Sequence, residues 1–360
     1  MSGYTRFQDG DILLPKITPT FEAGRSVLIS GLRNGTGAGT TEIHVLRPTR
    51  EIDPRFLAYI TRSQPFLKLG EAEMYGVAGQ KRVPDNFVRD FEAYIPAIEE
   101  QRRVADFLDE AMAGSDKLTS MLNAALRLLD ERDLASMASA FDGTFRLSNH
   151  LSGESWSLPL RRVVARWVDY RGATPAKTPF GIPLVTAKNI KGGGIDLALA
   201  PEFIAEGDFD EWMRRGLPEV GDVLLTTEAP LGEVARIADP NIALAQRVIL
   251  MKANHSMVDP EWIYWYLRSP VGQRELFARA TGSTALGIKA DRLRSVPIQL
   301  FNRGDMTARL LWLSARIGET RQLRAPIKGQ LALLSERRQA LITAAVTGQV
   351  DVTTAQRVRA

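Results

Sequence analysis

Cysteine is absent from the sequence, and histidine occurs only three times. Without cysteine the chain cannot form disulfides, use thiol catalysis or hold zinc or iron–sulfur clusters through sulfur. No apolar run approaches the roughly 20 residues that span a bilayer, and the first residues lack the apolar core of a signal peptide. These absences predict a cytoplasmic protein with no membrane contact.

Excess charge of one sign is also nearly absent. The 46 Lys+Arg against 42 Asp+Glu leave a net charge of only +4, which excludes a histone-like polycation. Any nucleic-acid affinity must therefore come from local basic patches. The length of 360 residues is enough for two domains, each with its own core.

Motifs of nucleotide-dependent catalysis are missing as well. The sequence has no Walker loop, no adenine-methyltransferase motif and no helicase signature. Residues 35–40 lack the final glycine of a dinucleotide loop and precede a strand-like pattern at 42–46, so we interpret them as a flexible loop. The three histidines, His44, His150 and His255, have no ligand-like spacing. We expect no metal, no cofactor in this chain and no enzymatic activity.

The sequence contains an internal repeat. Gly10-Asp11-Ile12-Leu13-Leu14 recurs as Gly221-Asp222-Val223-Leu224-Leu225, and Tyr94-Ile95-Pro96 matches Ser295-Val296-Pro297. Residues 53–59 match 259–265, and residues 129–143 align without a gap to 334–348. The offsets of 211, 206, 201 and 205 residues are nearly constant. Each copy is thus a mixed, strand-rich stretch followed by a long helix.

The two copies differ at their front ends. About 64 residues, 157–220, precede the second Gly-Asp block, whereas nine precede the first. We therefore expect the first domain to lack its N-terminal part. Asp53 and Asp259 each precede a proline in matching places, and both are predicted to be helix N-caps rather than acids.

Long helices are predicted at the end of each copy. After Pro96, apolar residues alternate spacings of four and three in a heptad pattern, which predicts a helix from about 97 to 140 with Gly143 as its stop. A second helix is predicted from about 305 to 347, with Gly348 as its stop and Pro326 as a kink or an interrupted turn. Neither helix can bury its apolar seam alone, so we expect them to pack on each other as an antiparallel coiled coil. The predicted interface residues are Val104, Leu108, Leu118, Leu122, Leu129, Leu313, Leu323, Ile327 and Leu334.

Three motifs resemble the specificity subunits of type I restriction–modification systems. Pro96-Ala97-Ile98-Glu99-Glu100-Gln101 is similar to the family's Pro-x-x-Glu-Gln start of the central helix, although the second copy lacks this element. Residues 338–351 resemble the C-terminal signature, and Gly172-Ala173-Thr174-Pro175 with Gly181-Ile182-Pro183 resembles the opening of a recognition domain.

The resemblance implies an α+β protein with two target-recognition domains separated by the paired helices. It implies a non-catalytic subunit that reads a bipartite site in double-stranded DNA. It further implies two methyltransferase subunits and restriction subunits as partners, to which S-adenosylmethionine, ATP and magnesium would belong. The predicted boundaries are 1–96 for the first recognition domain, 97–143 for the central helix, 144–156 for a linker, 157–304 for the second domain, 305–348 for the last helix and 349–360 for a tail.

Polar and basic loops are the candidate DNA contacts, since cations bind phosphates and amides or guanidinium groups read base edges. A cluster of aromatic residues, Trp262, Tyr264, Trp265 and Tyr266, is assigned instead to the core. Candidates in the first copy are Lys16, Gln80, Lys81 and Arg82. Those in the second are Arg171, Thr186, Lys188, Asn189, Lys191, Gln246, Arg247, Ser283, Thr284, Lys289 and Arg292.

Two alternatives remain open at this point. The chain could be a coiled-coil adaptor that joins proteins without reading DNA. It could also be a specificity protein that reads only one half-site, because its first recognition domain is not functional.

Overall fold

The structure is a computed structural model that describes residues 3–77, 79–142, 145, 154–171, 174–282 and 286–352. The chain divides into two compact units. The first comprises Met1–Leu126 with Ala325–Ala360, and the second comprises Arg127–Arg324. Two long helices each contribute one part to each unit.

The first unit is built on a small antiparallel sheet with flanking hairpins and helices. Its strands are β1 (Thr5–Gln8), β2 (Ile12–Pro15), β3 (Val27–Leu28), β4 (Thr36–Gly39), β5 (Ile43–Leu46), β6 (Tyr75–Val77) and β7 (Gln80–Arg82). Its helices are α1 (Pro54–Ile60), α2 (Gln64–Glu73), α3 (Asp85–Asp90) and the first part of α4 (Ile98–Phe141). The sheet order is β3-β2-β5, while β1 pairs with β4 and β6 with β7.

The second unit is larger and has a four-stranded antiparallel sheet in the order β15-β14-β17-β9. Its strands are β8 (Ser155–Pro159), β9 (Val164–Asp169), β10 (Ile182–Val185), β11 (Ile190–Lys191), β12 (Gly194–Ile195), β13 (Phe203–Ile204), β14 (Val223–Thr227), β15 (Leu231–Arg236), β16 (Ala243–Leu244), β17 (Val248–Ala253) and β18 (Pro297–Phe301). Its helices are α5 (Leu160–Val163), α6 (Phe209–Trp212), α7 (Pro260–Arg268), α8 (Pro270–Phe277), α9 (Ala290–Arg294) and the first part of α10 (Arg303–Val346).

The two long helices lie close to their predicted ranges. Within the second unit, Asp133 of α4 pairs with Arg324 of α10 at 2.9 Å, while the carbonyl of Ala140 accepts a 2.7 Å hydrogen bond from Arg309. The residue further along α4, Ala140, thus contacts the earlier residue of α10, Arg309. The two helices are therefore antiparallel. In the first unit, Asp116 of α4 pairs with Arg338 of α10. The predicted fold class is confirmed.

The apolar seam between the helices is shorter than predicted. Val104, Leu108 and Leu313 are buried, whereas 43% of Leu118 and 48% of Leu323 is exposed, so these two leucines do not form the predicted interface. Ion pairs between the helices, Asp133 with Arg324 and Asp116 with Arg338, form part of the contact instead. The remaining predicted seam residues, Leu122, Leu129, Ile327 and Leu334, are half-buried.

Helix α10 runs without interruption through Pro326, so the prediction of an interrupted turn is wrong, while a kink there stays a prediction. Proline removes one helical hydrogen bond, and the residue whose carbonyl loses its partner, Gln322, is exposed, so water can satisfy it. The helix ends at Val346, and Gly348 has a φ of 74°, which confirms it as the stop. Gly143 lies outside the described residues.

The sequence repeat has a counterpart in hydrogen bonds from backbone amides to aspartate carboxylates. The amide of Gln8 donates to the Asp11 carboxylate at 2.8 Å, and the amide of Glu219 donates to Asp222 at the same distance. Likewise Asp53 and Asp259 both accept hydrogen bonds from the first turn of the helix that follows. The predicted N-caps are confirmed.

Residues 36–39, predicted to be a flexible loop, instead form strand β4 opposite β1. Glycine is needed in this strand because the Phe7 ring of β1 packs over Gly37. A Cβ at position 37 would lie 2.5 Å from that ring. The strand predicted at 42–46 is confirmed as β5. The aromatic cluster of α7 is buried, as predicted.

Candidate nucleic-acid interface

A cavity of about 200 Å³ in the second unit brings together several predicted DNA contacts. Strands β10 and β16 run parallel, so their carboxyl ends reach the same edge. Thr186 and Lys188 follow β10, and Gln246 and Arg247 follow β16, which places all four around one opening. Two loops far apart in sequence thus form one surface.

Neighbouring side chains set the position of the β16 loop. Arg247 pairs with Glu228 at 3.0 Å and remains half exposed. The Gln246 side chain lies 3.5 Å from the Thr174 hydroxyl, and its amide keeps capacity for another partner. In this structure the Glu228 carboxylate is therefore the anion that holds the Arg247 guanidinium.

Arg171 does not line the cavity, and most of its guanidinium donors are bonded to neighbouring residues. Its guanidinium binds both oxygens of Asp169, and a further N–H donates to the carbonyl of Ile288 at 3.1 Å. Burial opposes ionisation of Asp169, but the bonds from Arg171 outweigh it and hold the pKa of Asp169 below its ordinary value. This predicted DNA contact is corrected to a structural role.

Asn189 is likewise structural, contrary to the prediction. It is fully buried; its side-chain oxygen accepts from the amide and the hydroxyl of Thr186, and its NH₂ donates to the carbonyls of Asp196 and Ala200. An amide with these four bonds cannot also read adenine. Lys188 and Lys191 beside it are exposed and have no ion-pair partner in the described part of the chain.

Lys289, at the N-cap of α9, and Arg292, within α9, supply two further cations. Lys289 and Arg292 are exposed, and the amide of Ile288 donates to the carbonyl of Thr227 at 3.0 Å, which fixes the end of the loop that precedes α9. The two other predicted contacts on this loop, Ser283 and Thr284, lie outside the described residues.

The first unit holds its candidates in a related backbone arrangement. The amide of Val83 donates to the carbonyl of Lys16 at 2.8 Å, the counterpart of the bond between Ile288 and Thr227. Arg82 makes two bonds to Glu42, which lower the pKa of that carboxyl. The Lys16 ammonium lies 3.6 Å from Asp85. The Gln80 and Lys81 side chains are exposed.

Lys177 was missed by sequence reasoning. It lines the cavity and pairs with Glu202 at 2.7 Å. The sequence signal that could have found Lys177 is its position between Gly172-Ala173-Thr174-Pro175 and Gly181-Ile182-Pro183, the two segments that resemble the opening of a recognition domain.

Within the described ranges no group of three or more His, Asp or Glu side chains is placed to hold a metal, and no helix is both long and apolar enough to span a membrane.

Comparison with known proteins identifies relatives of the chain. No protein-family model matches it. Over 117 residues it is 44% identical to the Type I restriction enzyme EcoAI specificity subunit and 43% identical to the EcoEI specificity subunit, both of Escherichia coli. The chain is related to type I specificity subunits. The predicted resemblance is thereby confirmed.

The sequence match to these specificity subunits spans only part of this chain and part of each relative. Each match covers 32% of this chain and 20% of the relative. A solved structure concerned with complex assembly and conformational transition of the type I restriction–modification system contains a chain with a TM-score of 0.68. The alignment covers 97% of this chain and 85% of that chain at 18% identity, which shows a shared fold.

Proposed function

We propose that the chain recognises a DNA sequence for a type I restriction–modification complex. The carrying observation is the shared edge where the loops after β10 and β16 present Lys188, Gln246 and Arg247 around one opening. The relationship to specificity subunits supports the same role. In this proposal the chain is not itself an enzyme.

The side chains at this edge suit both parts of DNA recognition. Lys188, Lys191 and Arg247 would bind phosphates, which sets the register of the duplex without reading sequence. Gln246 would read a base edge, since its amide both donates and accepts, the pattern that matches adenine in the major groove.

A bipartite target follows in this proposal from the two copies of the module. Both units keep the bond that fixes the recognition loop, from Val83 to Lys16 in one and from Ile288 to Thr227 in the other. Two methyltransferase subunits and restriction subunits would join the chain. S-adenosylmethionine, ATP and magnesium would belong to those partners.

Recognition of a single half-site is the second candidate function. The residues that line the cavity of the second unit between Thr174 and Glu202 have no repeat counterpart among the described residues of the first unit. The first unit offers only Lys16, Gln80, Lys81 and Arg82 from the predicted set.

Selection from random duplexes tests both candidates. The purified chain, together with its proposed methyltransferase subunit, is mixed with randomised double-stranded DNA, and the bound pool is sequenced. Two specified blocks with a fixed spacer are expected. One block would support the half-site candidate, and absence of enrichment would contradict DNA recognition and favour an adaptor.

Single substitutions then test the cavity edge. K188A is expected to weaken binding to the selected duplex and to reduce the slope of log affinity against log salt by about one, because one phosphate contact is lost. K328A, which removes an exposed lysine from α10, is the matched control and should leave the slope unchanged. Equal slopes for all three proteins would contradict this placement of the DNA.

A further inference from the structure

Phe180 is exposed to an unusual degree. With 80% of its surface open to solvent, it is the most exposed large hydrophobic side chain in the part of the chain that the structure describes. Isolated exposed hydrophobic residues are common on protein surfaces. The case for a role therefore depends on how the ring is held and on what lies beside it.

The loop that carries Phe180 is fastened to strand β13 on both sides. The amide of Thr178 donates to the carbonyl of Phe203 at 3.0 Å, and Ile182 pairs with Ile204 across the strands. Between them, the Thr178 hydroxyl donates to the carbonyl of Phe180 at 2.8 Å. The backbone under the exposed ring is thus fixed before any ligand arrives.

Gly181 shows how close this loop lies to the strand. Its φ is +134°, and an added Cβ would lie 2.2 Å from the carbonyl oxygen of Ile204. Only glycine fits there, so the position of the preceding residue is determined by backbone contact.

The same loop forms one wall of the proposed DNA-binding cavity. Thr174, Pro175 and Lys177 line it together with Lys188 and Arg247. Phe180 does not itself line the cavity, but it follows Lys177 by three residues and so belongs to the loop that contributes to this cationic surface. Apolar protein partners do not need such cations, whereas DNA phosphates do.

We propose that Phe180, preceded by Pro179, is an apolar wedge that inserts between base steps of the bound duplex and bends it. The inference rests on the proposed function. Phenylalanine and proline are among the side chains that proteins insert between base steps from the minor groove, and such insertion kinks the duplex by roughly 20–90° toward the major groove. Phe180 would add specificity through the ease with which a given step is unstacked.

The test uses the full chain with its methyltransferase subunit and the duplexes selected above. Three variants are compared with the wild type: F180A, the conservative F180L, and F277A as a control that removes a half-exposed phenylalanine elsewhere in the same unit. Energy transfer between dyes at the two ends reports bending, and 2-aminopurine placed along the duplex reports unstacking.

F180A is expected to bind on the order of tenfold more weakly, to abolish the bend and to abolish the fluorescence rise at one step. F180L should retain most of each effect, and F277A should behave as the wild type. Circular dichroism of each variant checks that it is folded.

Two results would contradict the proposal that Phe180 is a wedge, without contradicting the proposed DNA recognition. One is an F180A complex that bends and unstacks DNA as the wild type does. The other is an F180A variant that loses the methyltransferase subunit in the absence of DNA, since the ring would then contact protein. If the wild type enriched no duplex, both the proposed function and the wedge would fall together.

Discussion

Replacement of Gln101 by alanine would remove hydrogen bonds to three backbone groups of the first unit. The Gln101 side-chain oxygen accepts from the amide of Asp53 at 2.9 Å, and its nitrogen donates to the carbonyls of Glu51 and Pro96 at 3.0 and 2.8 Å. The residue is only 1% exposed. It therefore joins the start of α4 to the segment that begins α1.

The magnitude follows from the groups left without partners. A buried backbone group that loses its partner costs about 1–3 kcal/mol. Glu51 is exposed, so water replaces that bond, and we expect Q101A to lower the free energy of unfolding by about 3 kcal/mol. Urea denaturation followed by far-ultraviolet circular dichroism measures the change, with Q330A on the exposed face of α10 as the control.

Q101E is a more specific test than Q101A. Glutamate has nearly the same shape as glutamine, but it has an acceptor oxygen in place of the NH₂ donor. Its carboxylate would face the carbonyls of Glu51 and Pro96, so at neutral pH it should destabilise the chain more than Q101A. That repulsion would raise the pKa of the new carboxyl in the folded protein, so the excess loss should shrink as the pH falls toward about 4.3. A Q101E variant as stable as the wild type at neutral pH would refute the assigned bonds.

Three further substitutions test other parts of the structure. N189A should lower the free energy of unfolding by about 2 kcal/mol in urea denaturation, because the buried amide bonds the backbone rather than DNA. R47A should destabilise the chain only slightly at neutral pH, because the Arg47 side chain is exposed to solvent. Because Arg47 lowers the pKa of Asp11 below 3.8, the stability it adds is present above that pH and lost as pH falls through the folded value, so the two proteins should converge in acid denaturation. R324A should cost about 1 kcal/mol in thermal unfolding, since it breaks ion pairs of 2.6 and 2.9 Å to the facing helix, whereas R321A, at an exposed position, should not.

The long helices could be predicted almost to the residue. Helix α4 was expected from about 97 to 140 and lies at Ile98–Phe141, because heptad spacing and a preceding proline are local signals. Strand β4 could not be predicted in this way. Its glycines look like a loop until the Phe7 ring of the facing strand is in place.

The candidate site shows the same division between local and tertiary information. The sequence identified Lys188, Gln246 and Arg247, but only the parallel pairing of β10 with β16 shows that they share an edge. It misassigned Asn189 because an amide that can read adenine can equally bond buried carbonyls. Which of the two it does depends on burial, and burial is decided by the fold.

Under the proposed function, the repeat would let one scaffold carry two different readers. The bonds that fix the recognition loops join backbone atoms, from Val83 to Lys16 and from Ile288 to Thr227, so they require no particular side chain. Positions 16 and 227 accordingly hold a lysine in one unit and a threonine in the other. A loop whose geometry is set by its backbone can exchange every exposed side chain without moving. In the proposed function, DNA recognition could then diverge between the two copies while their fold is kept, as a bipartite target with two unlike halves requires.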